Sequence, residues 1–177
     1  MELPYKLEVL WCRAFQCVLK IGNYFMGYRM PKYLEGPGKI KELGAFLKEK
    51  GINDVLVVTG AGMVRRGQVQ PMLDGFEANG IRYTLQTYTT TDPTSDDVEL
   101  GYKTYKEHGC KSIVALGGGS RIDCAKGIAA KAVHPRKKVS QLQGLLKVHW
   151  PIPPFVAIPT TAGAGSETTV AAVITDS

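Results

Sequence analysis

Histidine is scarce in this chain: there are three in 177 residues, at positions 108, 134 and 149. No two of them stand one helical turn apart, so their spacing builds no divalent-cation site on a helix face, and no metal ligand is assigned. The same scarcity leaves no Ser–His–Asp order with supporting context, which speaks against a hydrolase of that kind. The four cysteines, Cys12, Cys17, Cys110 and Cys124, make no Cys-x-x-Cys pair and follow no visible secretory leader. A reduced, cytoplasmic setting is therefore expected, with Cys124 as a small packing residue rather than a nucleophile. Long apolar runs are missing as well. The longest uncharged stretch, residues 148–166, contains Pro151, Pro153, Pro154 and Pro159, a density that no membrane-spanning helix tolerates. Net charge is +6, but the densest basic run, Arg136 to Lys138, has no aromatic array beside it and reads as a solvated loop. Neither a membrane nor a nucleic acid is expected as a partner.

What is plentiful is glycine, 20 residues, gathered at turns between apolar runs. Composition is that of a soluble globular protein, 44% hydrophobic and 21% charged, and the length suits one good domain. Leu7, Leu10, Trp11, Ala14, Phe15, Val18 and Leu19 recur at helical spacing within residues 1–27, which predicts a docked helix or an N-terminal arm. Glu2 and Glu8 weigh against an organelle-targeting segment.

Regular alternation then begins. Lys32 to Glu35 reads as a short strand, Gly36-Pro37-Gly38 as a turn, and Lys39 to Lys50 as an amphipathic helix stopped by Gly51. Asp54 to Thr59 is a buried strand entering a Gly60-Ala61-Gly62 turn. Val64 to Asn79 is helical, with a fresh start near Val69 and Gln70 imposed by Pro71. Ile81 to Tyr88 is a strand, and Thr94 to His108 a helix opened by a Thr94/Asp97 capping box. Ser112 to Ile128, SIVALGGGSRIDCAKGI, is a buried strand, a glycine turn and a helix start. Phe155 to Ile158 and Val170 to Thr175 complete the set as strands. Strands alternating with helices predict an α/β fold: a Rossmann-like parallel sheet with helices on both faces. Such a sheet puts the turns at Gly60–Gly62, Gly117–Ser120 and Thr160–Glu167 on one rim, where they form a ligand crevice.

The glycine turn carries the chemistry. Glycines admit close approach of a ligand to the main chain, and the first N–H groups of the helix have no intrahelical partner, so the arrangement suits a phosphate, above all a dinucleotide diphosphate. The structural alternative is a tight turn with Ser120 as an ordinary N-cap and Asp123 as its capping-box acid. If Asp123 is functional it faces a ribose hydroxyl or the substrate, because a carboxylate beside a diphosphate is repelled. The hydroxyl-rich turn from Thr160 and Thr161 to Ser166 and Glu167 reads either as a second wall of that site or as a polar loop. At the third turn, the strand end that often carries an acid for the adenosine ribose is Gly60, followed by Arg65 and Arg66. That combination leans toward NADP over NAD.

These residues resemble a known family. GGGSRIDCAK, then IPTTAGAGSETT and the closing VAAVITDS, are similar to the N-terminal half of the iron-containing (group III) alcohol dehydrogenases. PKYLEGPGKIKELG, DVLVVT and DPTSDDVELGYKTYKEHGC follow the same order. The resemblance runs from about Met30 to the C-terminus, and implies a dinucleotide-binding domain over residues 30–177 with residues 1–29 as an N-terminal extension. It further implies NAD(P)-dependent hydride transfer between an alcohol and its aldehyde or ketone. By resemblance Gly118, Gly119 and Ser120 hold the diphosphate, and Asp123 is the catalytic-side residue reaching the nicotinamide ribose and substrate. Thr160 and Thr161 flank the adenine and diphosphate, and Ser166 and Val173 line the coenzyme site. Gly60 stands where NAD-using relatives carry Asp, and Ala164 where many members carry Thr. The family's iron or zinc is held by one Asp and three His of a helical half, which are expected beyond Ser177, so dinucleotide binding is what this polypeptide is expected to do by itself. Glycerol dehydrogenases and sugar-phosphate cyclases share the glycine turn, but AGAGSE after IPTT favours the alcohol dehydrogenases. A non-catalytic truncated paralogue that binds nucleotide or a partner chain stays open, as does a homo-oligomer.

Overall fold

The structure, a computed structural model, describes residues 5–25, 31–88, 92–144, 147–148 and 150–176. The chain divides into two compact units, Met1–Leu34 and Glu35–Ser177. The first contains one helix, α1 (Tyr5–Phe25), which matches the expected helical spacing of Leu7, Leu10, Trp11, Phe15 and Val18. His149 and the ends of the N-terminal segment lie outside the described residues.

In the second unit a 3-10 turn (Lys39–Glu42) leads into α2 (Leu43–Glu49). Then follow β1 (Asp54–Gly60), α3 (Ala61–Arg65), α4 (Gln70–Ala78), β2 (Arg82–Tyr88), α5 (Ser95–Glu107), β3 (Ser112–Gly117), α6 (Gly119–Val133) and β4 (Phe155–Pro159). All strand pairs are parallel, in the order β2-β1-β3-β4. The two central strands carry unbroken apolar runs, residues 55–58 and 113–116, because helices cover both sheet faces. Leu56, Val58, Ile113 and Ala115 face a cluster with Val98 of α5 and Ile122, Ala125 and Ile128 of α6. Val55, Val57, Val114 and Leu116 face Leu43 and Leu47 of α2 and Met72 and Phe76 of α4. This is the expected α/β architecture, and the capping box is formed: Asp97 N–H donates to Thr94 Oγ1 at 3.2 Å and Thr94 N–H donates to Asp97 Oδ2 at 3.0 Å.

Three local expectations are corrected. Lys32 to Glu35 has no regular structure, and its four residues are exposed: no neighbouring strand offers a ladder, and alternation by itself does not make one. Val170 to Thr175 is not a strand either. Among the described residues its β-pairing is a single bridge between Thr94 and Thr175, and it lies as a strap across α6, with Ile174 packed on the α5–α6 cluster. The first helix starts at Ala61, directly from the strand, rather than at Val64, while the fresh start expected near Val69 and Gln70 is found at Gln70, with Pro71 in its first turn, where its missing N–H costs no hydrogen bond.

α2 and α4 cross at a point where only glycine fits. A Cβ on Gly75 would overlap the carbonyl oxygen of Lys41, and one on Gly44 would overlap that of Gly75. Backbone cannot retreat as a flexible side chain does, so Gly75→Ala is expected to destabilise this unit by about 1–3 kcal/mol. Urea unfolding followed by circular dichroism measures the loss.

Candidate coenzyme site

The chain leaves β1 toward the α2–α4 face and leaves β3 toward the α5–α6 face, so the sheet has its switch point between these two adjacent strands. At that point strand ends diverge and open a crevice outside their carboxyl ends. The register brings the sequence-predicted turns together: Thr59 is paired with Leu116, and Gly117 with Pro159, so Gly60, Gly118 and Thr160 emerge at one rim. A crevice of about 340 Å³ lies there, lined by Gly60, Ala61, Gly62 and Met63 on one side and Gly117, Gly118 and Arg121 on the other. A second hollow of about 360 Å³ lies beside Met63, Leu116, Ile158 and Thr160.

α6 points its N-terminus into this rim. Its N-cap is Gly118, extended at φ −75° and ψ 179°, with no side chain to satisfy the first amides. The first helical bonds are made by Arg121 N–H and Ile122 N–H to Gly118 O, at 3.0 and 3.3 Å, so the amides of Gly119 and Ser120 precede them. Ser120 is thus inside the first turn rather than its N-cap. Gly117 takes φ +157°, and a Cβ there would stand 2.7 Å from Arg121 Cγ, so a side chain at this position is excluded twice. The opposite wall is the Thr160 turn. Thr160 N–H donates to Gly117 O at 2.9 Å, and the Thr161 side chain faces Gly118. Ser166 is buried, and a Cβ added to Gly119 would come within 2.9 Å of its Oγ, so bare glycine keeps a cradle open between the turns.

Asp123 is not the capping acid of α6. It is buried one turn into the helix, where its Oδ2 accepts from Val173 N–H at 3.2 Å and its Oδ1 lies 3.6 Å from Lys126 Nζ. Oδ1 has no hydrogen-bond partner among the described residues. Lys126 donates to Thr169 Oγ1 at 2.8 Å and Ala171 O at 2.7 Å. Asp123 and Lys126 therefore tie the 169–173 strap to α6. Val173 meets the site through its main chain, while its side chain is 77% exposed. Burial lowers the Lys126 pKa, an effect that the Asp123 carboxylate opposes. Burial also raises Tyr88, at the crevice wall, whose hydroxyl donates to Asp97 O at 2.8 Å.

Sequence reasoning did not single out Arg121, although its place directly after the glycine turn puts it in the first turn of any helix there. It also missed Lys126, whose partners lie more than forty residues away. His108 and His134 sit at the C-terminal ends of α5 and α6, away from the rim.

The sheet order, the switch-point crevice and the uncapped helix start define a nucleotide-binding type of α/β domain. Residues 31–177 match the family model of iron-containing alcohol dehydrogenases, and the chain belongs to that family. It is 37% identical over 155 residues to the NAD-dependent methanol dehydrogenase of Bacillus methanolicus, covering 88% of this chain and 40% of that enzyme. Its structure is similar to that of a 1,3-propanediol oxidoreductase, with TM-score 0.76 and 33% identity over 84% of this chain and 40% of the other. A sulfoacetaldehyde reductase from Bifidobacterium kashiwanohense, solved in complex with NAD+, gives TM-score 0.69 and 26% identity over 84% of this chain and 41% of that one. The chain spans about 40% of the length of these relatives.

Three predictions come from the strap and the core. Lys126→Met leaves the Asp123 carboxylate buried without its cation and is expected to cost about 3 kcal/mol, read as a lowered urea midpoint, with faster proteolysis at 169–173. Burial pushes the Cys124 thiol from 9.0 up to about 11, so it stays protonated at neutral pH. Cys12 and Cys17 are exposed and Cys110 and Cys124 buried, so iodoacetamide at pH 8 is expected to label the first pair quickly and spare the second, as mass spectrometry counts. The folded state keeps the Cys124 proton that the unfolded state loses above about pH 9, so this thiol makes stability fall as pH rises from 9.0 toward about 11.

Proposed function

We propose that residues 30–177 are the coenzyme-binding domain of an NAD(P)-dependent alcohol dehydrogenase that moves hydride between a small alcohol and its aldehyde or ketone, acting in the cytoplasm, with residues 1–29 as an extension. The observation that carries this is the uncapped N-terminus of α6 facing a glycine-walled crevice at the switch point. Helix-start amides and the positive end of the helix dipole suit the diphosphate, and the cradle at Gly119 leaves room for it. In this reading Gly118, Gly119 and Ser120 bind the diphosphate through the main chain. Thr160, Thr161 and Ser166 form the facing wall, and Gly60 lies under the adenosine ribose. Asp123 turns its carboxylate toward the nicotinamide ribose and the substrate side. The strap through Val173 holds that carboxylate in position.

Hydride transfer asks the protein for placement more than for a nucleophile, and coenzyme and substrate supply the reacting atoms. In the family an iron or zinc ion supplies Lewis acidity at the alcohol oxygen. Among the described residues no three His, Cys, Asp or Glu side chains converge to hold a metal, so these residues do not form that centre. The relatives' names support a nicotinamide coenzyme and an alcohol or aldehyde substrate. No described helix is long and apolar enough to cross a membrane.

Gly118→Val tests this reading. The backbone at Gly118 is open to any residue, and a Cβ there first meets the movable Thr161 side chain at 3.3 Å, so the variant is expected to fold. Its side chain then covers the amides, and NADPH and NADH fluorescence titrations are expected to show binding to the native chain and none to the variant. Unchanged binding by the variant contradicts the assignment.

A further inference from the structure

We propose that α1 binds along the surface of a bilayer that carries anionic phospholipid, with its apolar side in the lipid and Arg13 and Lys20 on the headgroups. The proposal is independent of the coenzyme reading and goes beyond it.

α1 is the one described helix of the Met1–Leu34 unit, so no other described element of that unit covers it. At about 3.6 residues per turn, Leu7, Leu10, Val18 and Ile21 share one side. Trp11 and Phe15 extend that side along one margin, and Gln16 stands opposite. All six apolar side chains are exposed, Trp11 the most at 72%. A contiguous apolar face of this kind is costly in water and marks a surface that a partner covers. Its arc is wider than the two-position seam of a coiled coil, and its edge is aromatic.

The charge of the helix identifies that partner. Tyr5–Phe25 contains Lys6, Arg13 and Lys20 against the single acid Glu8. Arg13 and Lys20 are exposed and stand two turns apart, on the margin of the apolar side away from Trp11. No Asp or Glu stands three or four residues from either, so neither cation has an ion-pair partner on its own helix, and both complement an external anion. Lys and Arg lay their stems along apolar surface and hold their charges at its polar edge, and tryptophan settles at the same level of a bilayer. Such a helix fits the boundary between acyl chains and headgroups, its apolar side sinking about 5–10 Å. Each cation held near an anionic leaflet raises affinity about fivefold. No described helix is long and apolar enough to cross a bilayer, but lying along one requires only one apolar side.

Co-sedimentation of the 177-residue chain with vesicles tests the proposal, one set of phosphatidylcholine alone and one of equal parts phosphatidylcholine and phosphatidylglycerol. The native chain is expected to pellet with the anionic vesicles, to stay in solution with the neutral ones, and to be released as salt rises. Arg13→Gln with Lys20→Gln is expected to weaken binding by about twentyfold, and Leu10→Glu with Val18→Glu to abolish it, with the urea unfolding transition unchanged in both. In Trp150→Phe the one tryptophan left is Trp11, and its emission is expected to move to shorter wavelength on the anionic vesicles only. Equal binding to both vesicle types, unchanged binding by either double variant, or no binding by the native chain overturns the proposal. Light scattering that finds a dimer of the native chain and a monomer of the Leu10→Glu, Val18→Glu variant, without lipid binding, assigns the face to a second copy and overturns it likewise. Each of these outcomes leaves the coenzyme site standing.

Discussion

The uncapped first turn of α6 is the constraint around which the second unit is arranged. A half-buried helix start among strand ends needs acceptors for its amides, and Gly118 has no side chain to offer one. The sequence around it preserves that deficit. Gly117 admits the stem of Arg121, Gly119 keeps clear of Ser166, and the Thr160 turn closes the far wall without covering the helix start. A fold that spends three consecutive glycines there gives up local backbone rigidity. Packing against Arg121 and Ser166 accounts for Gly117 and Gly119, and the proposed anion at the uncapped amides accounts for Gly118.

The same helix carries the second half of the arrangement one turn further on. Asp123 and Lys126 face a strap that follows β4 in the chain, and the strap supplies both a main-chain donor and main-chain and hydroxyl acceptors. A buried ion pair is weak as a source of stability but demanding in geometry. Its effect here is to fix the Asp123 carboxylate at a set depth below the rim. The proposed binding at the rim and orientation below it thus fall on a single helix, which suits a reaction governed by placement.

Much of this was legible in the sequence. DVLVVT and SIVALG carry unbroken apolar runs because both sheet faces are covered, and that marks central parallel strands. The capping box at Thr94 and the strand–glycine–helix passage at Ser112 to Ile128 are local signals with local causes, and both are formed. What the sequence concealed depends on distant partners. Val170 to Thr175 has strand-forming residues but no strand beside it, so it became a strap held by α6. The α3 start at Ala61 was hidden because two glycines there read as a turn. Lys126 looked like a solvated helix residue until Thr169 and Ala171 came to it. Arg121 looked like an ordinary helix residue until the register of β1 and β3 set its guanidinium over Gly60.

The central claim concerns a few main-chain amides, and nitrogen-15 NMR of the chain titrated with NADPH observes them directly. The account predicts that the largest shifts fall on the amides of Gly118, Gly119 and Ser120, with smaller ones at Gly60 and Thr161. Saturating NADPH that leaves those three amides unmoved while shifting residues elsewhere contradicts it.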